Sequence, residues 1–263
     1  MRLARVRGLL VDLDGTVYED DRAIEGVAEA LAAVRRAGLG LRFVTNATRM
    51  PRSALAERLA RFRVEARIDE IHTAPSAAST WLRGRGVERV SLCVPEATRE
   101  EFARFTLDDA RPQAVVVGDL ALEWTFERLN RAFLQVLEGA ELVALQKNRY
   151  WSTRDGLALD AGPFVVGLEY ATSRSATVVG KPSREFFETA ARSIGLALSE
   201  VAMVGDDAVT DVGGAQAAGA VGILVRTGKY AADATGRAAV EPDATIDSLA
   251  ELPALLGIGR GSG

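Results

Sequence analysis

The sequence predicts an α/β fold, an open parallel sheet with helices on both faces, interrupted by an inserted α/β module. Three observations carry this. Short apolar segments alternate with helical patterns, the apolar segments show no polar alternation, and a second strand–helix series fills the middle of the chain. Strands covered by helices on both faces of a parallel sheet carry such unbroken apolar runs.

Core strands are expected at 7–13, 40–45, 176–180, 201–205 and 221–225, each rich in Val, Leu or Ile. Helical patterns join them over Ile24–Ala37, over Arg52–Phe62 behind Pro51, and over Ser76–Arg83. Proline suits a helix start, where its missing N–H has no helical partner. Two further helices are expected at Arg184–Ile194 and Thr210–Ala218. Between "RGRGVE" and "YATSRSAT" lie the strand-like "RVSLCV", "QAVVVG" and "ELVALQ", with helices over Pro95–Phe105 and Glu123–Leu137. The expected division is a core of residues 1–83 and 176–263 and an inserted domain of 84–175, entering between the second and third core strands. The tail "GIGRGSG" reads as low-complexity and disordered.

Composition narrows the class. The chain has 263 residues, 48% apolar and 26% charged, with a net charge of −4, ordinary for a soluble globular protein. Nothing suggests a nucleic-acid surface. No apolar run approaches the roughly 18 residues of a membrane helix, and Gly8–Val11 is too short for a signal-peptide core. The single cysteine, Cys93, excludes an intrachain disulfide and fits a reducing compartment. A cytoplasmic protein is expected, with no nucleic-acid or membrane partner; a homodimer through the insert is an open expectation. Only three basic residues are lysines, Lys147, Lys181 and Lys229, the rest being arginines. A compact ammonium does some jobs a guanidinium cannot.

Four short signals then stand out: "DLDGT" at 12–16, "FVTNAT" at 43–48, "VVGKPS" from Val178, and "MVGDDAVTD" at 203–211. Singly, each has a plain structural explanation: an Asp-Gly turn, helix-capping residues, a Gly-Lys-Pro loop, or an acidic helix start. Jointly they do not. Asp12, Thr45, Lys181 and Asp206 each fall at, or one residue beyond, the C-terminal end of an expected core strand. In an open parallel sheet ligands bind along that edge.

The residue types there suit phosphoryl transfer. A buried strand should not end in the pair Asp12 and Asp14 without something positive beside it. Asp12, Asp206 and Asp207 offer hard oxygen ligands for Mg²⁺. A carboxylate can also act as nucleophile and form an aspartyl-phosphate. Lys181, Thr45, Asn46 and the amides of Gly15 and Thr16 could then hold the phosphoryl oxygens. Asp14 could protonate the leaving group. A small phosphorylated molecule is the expected substrate.

Together these four motifs, in order, resemble those of the haloacid dehalogenase (HAD) superfamily, and the resemblance covers nearly the whole chain. The insert resembles the C2-type cap of the NagD-like subfamily IIA. "RYWSTRDGLALDAGPFVVGLEYAT", "GDDAVTDVGGAQAAG" and "GILVRTGKY" are similar to one branch of that subfamily. The resemblance implies a Rossmann-like core and a Mg²⁺-dependent hydrolase. It implies Asp12 as nucleophile and metal ligand, Asp14 as acid/base with its carbonyl on the metal, and Asp206 as metal ligand. Thr45 and Lys181 would bind phosphate, with Asp207 and Asp211 in outer-shell roles. Members of that branch often carry a small residue where this chain has Asp14, and the acid favours turnover here.

Other readings are a metal-free dehalogenase, a phospho-accepting receiver domain and a catalytically weak phosphate-binding protein. Asp14 and the Asp206/Asp207 pair argue against the first, the order of acids and lysine against the second, and the intact motifs against the third. In the insert, Lys147, Asn148, Arg149 and Tyr150 could select substrates, because they offer cations and an aromatic ring after a strand. His72, Cys93, Trp81, Trp124 and Lys229 read as packing or structural residues. Trp151 could do either.

Overall fold

A computed structural model describes residues 3–153, 156–230 and 239–259, without the side chains of residues 151–153. The end of the low-complexity tail, from Arg260, and the side chain of Trp151 therefore lie outside the described residues. The chain forms two compact units. One comprises Met1–Thr45, Arg52–His72 and Lys181–Gly263; the other comprises Asn46–Pro51 and Thr73–Gly180.

The first unit holds a six-stranded sheet. Its order is Ala244–Ile246, Val221–Val225, Val201–Gly205, Gly8–Asp12, Gly40–Thr45 and Ile71–Thr73. Gly8–Asp12 pairs in parallel with Val201–Gly205 on one side and Gly40–Thr45 on the other. Every residue of those first two strands, and of Val221–Val225, is buried. That is why their sequences read as unbroken apolar runs. Flanking helices present matching stripes. Val27–Arg36 buries Val27, Ala30, Leu31 and Val34, the spacing of one helix face. Arg184–Arg192, capped by the Ser183 hydroxyl, buries Phe186 and Phe187 completely. Burial stabilises by about 2–3 kcal/mol for each such ring. His72 packs on Phe186 with ring centroids 4.7 Å apart, as a core histidine.

The second unit carries a five-stranded parallel sheet in the order Thr177–Val178, Glu141–Ala144, Ala114–Val117, Arg89–Cys93 and Thr106–Leu107. Cys93 is buried with Val115, Val117 and Val165. Trp124 stacks on Phe164 at 4.5 Å. Among the described residues, no helix is long and apolar enough to cross a membrane.

Several expectations need correction. The 176–180 segment is not a core strand: Thr177–Val178 pairs with Val143–Ala144 in the second sheet. The helix expected at Ser76–Arg83 spans Ala74–Gly84, and its Ala74, Ala78 and Leu82 pack with Val90 and Val116 of the second unit. Two core strands, Ile71–Thr73 and Ala244–Ile246, are too short to show a pattern. The helix Ala161–Thr172 is hidden by Gly162, Pro163 and Gly167, yet Asp160 caps it. The Thr210–Ala218 segment begins as a wider π-helical turn, Ala208–Gly213, before Gly214–Ala218 becomes α-helical.

Candidate active site

The central strand Gly8–Asp12 ends by delivering Asp12 to the C-terminal edge of its sheet. Lys181 meets it there, with Nζ 2.5 Å from Asp12 Oδ1 and 2.6 Å from Asp211 Oδ1. Asp206 stands one residue beyond Val201–Gly205, and Asp211 rises from the π-helical turn. One carboxylate oxygen from each of Asp12, Asp206 and Asp211 lies within 4.8 Å of the others. All three acids and Lys181 are buried.

Three buried carboxylates on one buried lysine leave negative charge uncompensated. Burial pushes Asp12 up to about 6, against the pull of Lys181, and the nearby Asp206 adds to the rise. Burial, then the charge of Asp211, pushes Asp206 up to about 7. Asp211 is also pushed up to about 7, by burial against Lys181. Lys181 moves upward from its ordinary value despite burial, because Asp12 and Asp211 favour its charge. The donor set is all oxygen; the only histidine and cysteine are packed elsewhere. Surplus negative charge on hard oxygen donors fits a cation such as Mg²⁺.

The bonds divide the acids by role. Asp211 uses both oxygens within the protein: Oδ1 on Lys181, and Oδ2 accepting from the Asp207 N–H at 3.2 Å. Asp207 caps the turn, accepting from the N–H groups of Val209 and Thr210. Burial raises the Asp207 carboxyl, but Lys229 and the Thr210 N–H outweigh it and hold it low.

The loop after Asp12 is wound tightly. Leu13 accepts from the N–H groups of Thr16 and Val17, and Gly15 N–H donates to Tyr18 at 2.7 Å. Gly15 has a φ of +78°, and a Cβ there would collide with Asp206 Oδ2. Thr16 is buried, and its hydroxyl has no hydrogen-bond partner among the described residues. Asp14 is exposed at the loop surface. Packing around it raises its carboxyl, opposed by Arg58, Lys181 and Lys229.

The structure thus brings together Asp12, Lys181, Asp206 and Asp211, with Asp14, Gly15 and Thr16 following directly. Thr45 is buried at the end of the neighbouring strand, on the same edge. Asn46 groups with the second unit, where its Oδ1 would lie 2.6 Å from a Cβ on Gly180. Lys147 pairs with Glu169 at 2.8 Å, and the Asn148 carbonyl accepts from Gly162 at 2.9 Å. The Arg149 guanidinium lies 6.0 Å from the ring of Tyr150, which is exposed.

Sequence reasoning took Lys229 as structural and gave no role to Thr227 and Gly228 before it. Thr227 Oγ1 donates to the Gly15 carbonyl at 2.5 Å, and the Gly228 N–H to Glu19 Oε1 at 2.7 Å. The Lys229 N–H donates to Asp206 Oδ2 at 2.6 Å. A signal existed: this turn follows Val221–Val225, so the sheet-edge rule that selected the four motifs selects it too.

Comparison with known proteins agrees with this geometry. Residues 9–107 match the family model described as haloacid dehalogenase-like hydrolase, and residues 178–252 a HAD-hydrolase-like model. The chain is 43% identical over 243 residues to human haloacid dehalogenase-like hydrolase domain-containing protein 2, covering 92% of this chain and 93% of that one. It is 38% identical over 261 residues to human phospholysine phosphohistidine inorganic pyrophosphate phosphatase, covering 97% and 96%. The crystal structure of a 4-nitrophenylphosphatase from Thermotoga maritima superposes with a TM-score of 0.89 at 27% identity, covering 96% of this chain and 98% of that one.

Proposed function

The chain belongs to the haloacid dehalogenase-like hydrolase family, in its subfamily IIA, and on that premise we propose a Mg²⁺-dependent phosphatase that cleaves a small phosphorylated molecule through an aspartyl-phosphate. The observation that carries this reading is Asp12, buried against Lys181 in a trio of acids with surplus negative charge.

Asp12 and Asp206 would hold the metal with the Asp14 carbonyl, since Asp211 has both oxygens engaged. When bound, Mg²⁺ would neutralise these carboxylates and the phosphoryl oxygens. Lys181 keeps Asp12 ionised and oriented. Asp12 attacks phosphorus, a P–O bond forms to its carboxylate, and the ester P–O bond breaks. Asp14, exposed where a leaving group could depart, donates a proton to the departing oxygen. The same group, now a carboxylate, takes a proton from the water that releases phosphate and restores Asp12. The Thr16 hydroxyl and Thr45 hold phosphoryl oxygens, while the Gly15 and Thr16 N–H groups, expected to share that task, are spent on the loop's own Tyr18 and Leu13 carbonyls. Lone, buried Cys93 accords with a cytoplasmic setting.

The test uses p-nitrophenyl phosphate. Asp12→Asn should lower hydrolysis by several powers of ten, as loss of other covalent nucleophiles does. A chelator should abolish wild-type turnover and added Mg²⁺ restore it. Turnover by the Asp12→Asn variant within about tenfold of wild type would sink the aspartyl-phosphate. Full turnover in chelator would sink the metal role.

A further inference from the structure

The steps above leave Lys229 unused, although its turn is built into the same sheet edge. Its backbone N–H bonds Asp206, and the two residues before it are tied to Gly15 and Glu19. Three consecutive residues are thus anchored, which fixes the point from which the Lys229 side chain leaves the backbone. Lys181 and Lys229 nevertheless differ sharply. The Lys181 side chain is 4% exposed and closed between two acids. The Lys229 side chain is 60% exposed, and its Nζ stands 3.3 Å from Asp207 Oδ2. An exposed pair of that kind contributes little stability.

A fixed cation at the rim of an acidic site acts on two ligands with opposite sign. It repels a divalent cation approaching Asp12 and Asp206, and it attracts a phosphate dianion. We propose that Lys229 is a binding residue of the site's rim, attracting the phosphate group while weakening the hold on the divalent cation. The proposal rests on the phosphatase reading above. It makes Lys229 a brake on metal affinity as well as an aid to substrate.

Every replacement except proline keeps the residue 229 N–H on Asp206, so side-chain variants isolate the ammonium. Titration calorimetry on the whole protein should compare wild type, Lys229→Met and Lys229→Arg. Mg²⁺ is titrated alone, and inorganic phosphate in saturating Mg²⁺. At low salt, Lys229→Met should bind Mg²⁺ about three- to tenfold more tightly and phosphate more weakly by a similar factor. Lys229→Arg should stay near wild type, and both gaps should close as salt screens the charge. If Lys229→Met matches wild type, or shifts both ligands in one direction whatever the salt, the proposal fails while the phosphatase reading stands. A wild-type protein that binds neither Mg²⁺ nor phosphate would overturn both.

Discussion

Replacing Lys181 with methionine keeps a long apolar stem and removes the ammonium between Asp12 and Asp211. Both carboxylates then remain buried without their shared cation. Removing one member of a buried ion pair costs about 3–5 kcal/mol. Two orphaned acids put this variant toward the upper end, a large part of the roughly 5–15 kcal/mol that holds a domain together. The loss should depend on pH with a definite sign. Asp12 and Asp211 already sit at about 6 and about 7, above the ordinary 3.8. A group raised on folding gives its stability at acid pH and loses it as pH rises through the folded value. Without Lys181 both values climb further, so the loss reaches to higher pH. The deficit relative to wild type should be largest near pH 8. It should shrink toward about pH 5.5, by up to about 1.4 kcal/mol per pH unit for each carboxylate. Urea titrations at both pH values, in chelator, would measure it through the midpoints at a common slope. A deficit below about 1 kcal/mol, or one equal at both pH values, would show that these acids do not depend on the lysine.

Three further outcomes follow from groups outside the acid trio. Burial, helped by Arg42 and Arg52, pushes the imidazole of His72 down to about 3. A depressed group gives its stability above its unfolded value, about 6.5, and loses it as pH falls, here by about 1.4 kcal/mol per unit down to 3. His72→Phe should remove that slope from urea titrations between about pH 6 and 4.5, and parallel slopes would refute the assignment. In the second unit we expect Arg149→Ala to re-rank phosphorylated substrates while hydrolysis of p-nitrophenyl phosphate changes little. Lys147→Ala, which breaks the pair with Glu169, should instead lower the melting temperature. Uniform slowing of all substrates by Arg149→Ala would argue against a selective role.

Most of the site was legible because each motif residue follows a segment whose burial is written into its apolar run. Asp12 after Leu9–Leu10–Val11 and Asp206 after Val201–Gly205 are such cases. Lys181 shows the limit. Its preceding apolar residues look like any core strand, but which sheet a two-residue strand joins is decided by distant partners, here Val143 and Ala144. Ile71–Thr73 and Ala244–Ile246 are too short for periodicity to register. The commitment of both Asp211 oxygens is tertiary geometry, visible only once Lys181 and the Asp207 N–H are in place. The turn around Lys229 was legible only as a structural element: "TGK" resembles an ordinary turn, and its ties to Asp206, Gly15 and Glu19 are reached across the fold.

Thr227 and the Gly15 carbonyl are 212 residues apart in the chain and bonded in the fold. Asp12 is synthesised before its lysine, which lies 169 residues further along, and before Asp206, Asp211 and the Thr227–Lys229 turn, which come later still. A nascent chain halted within the inserted unit would carry the nucleophile with nothing to charge or aim it. The chemistry is therefore withheld until the chain has been made through the Thr227–Lys229 turn, and a fragment released within the inserted unit would be inert toward phosphate esters, not a stray hydrolase.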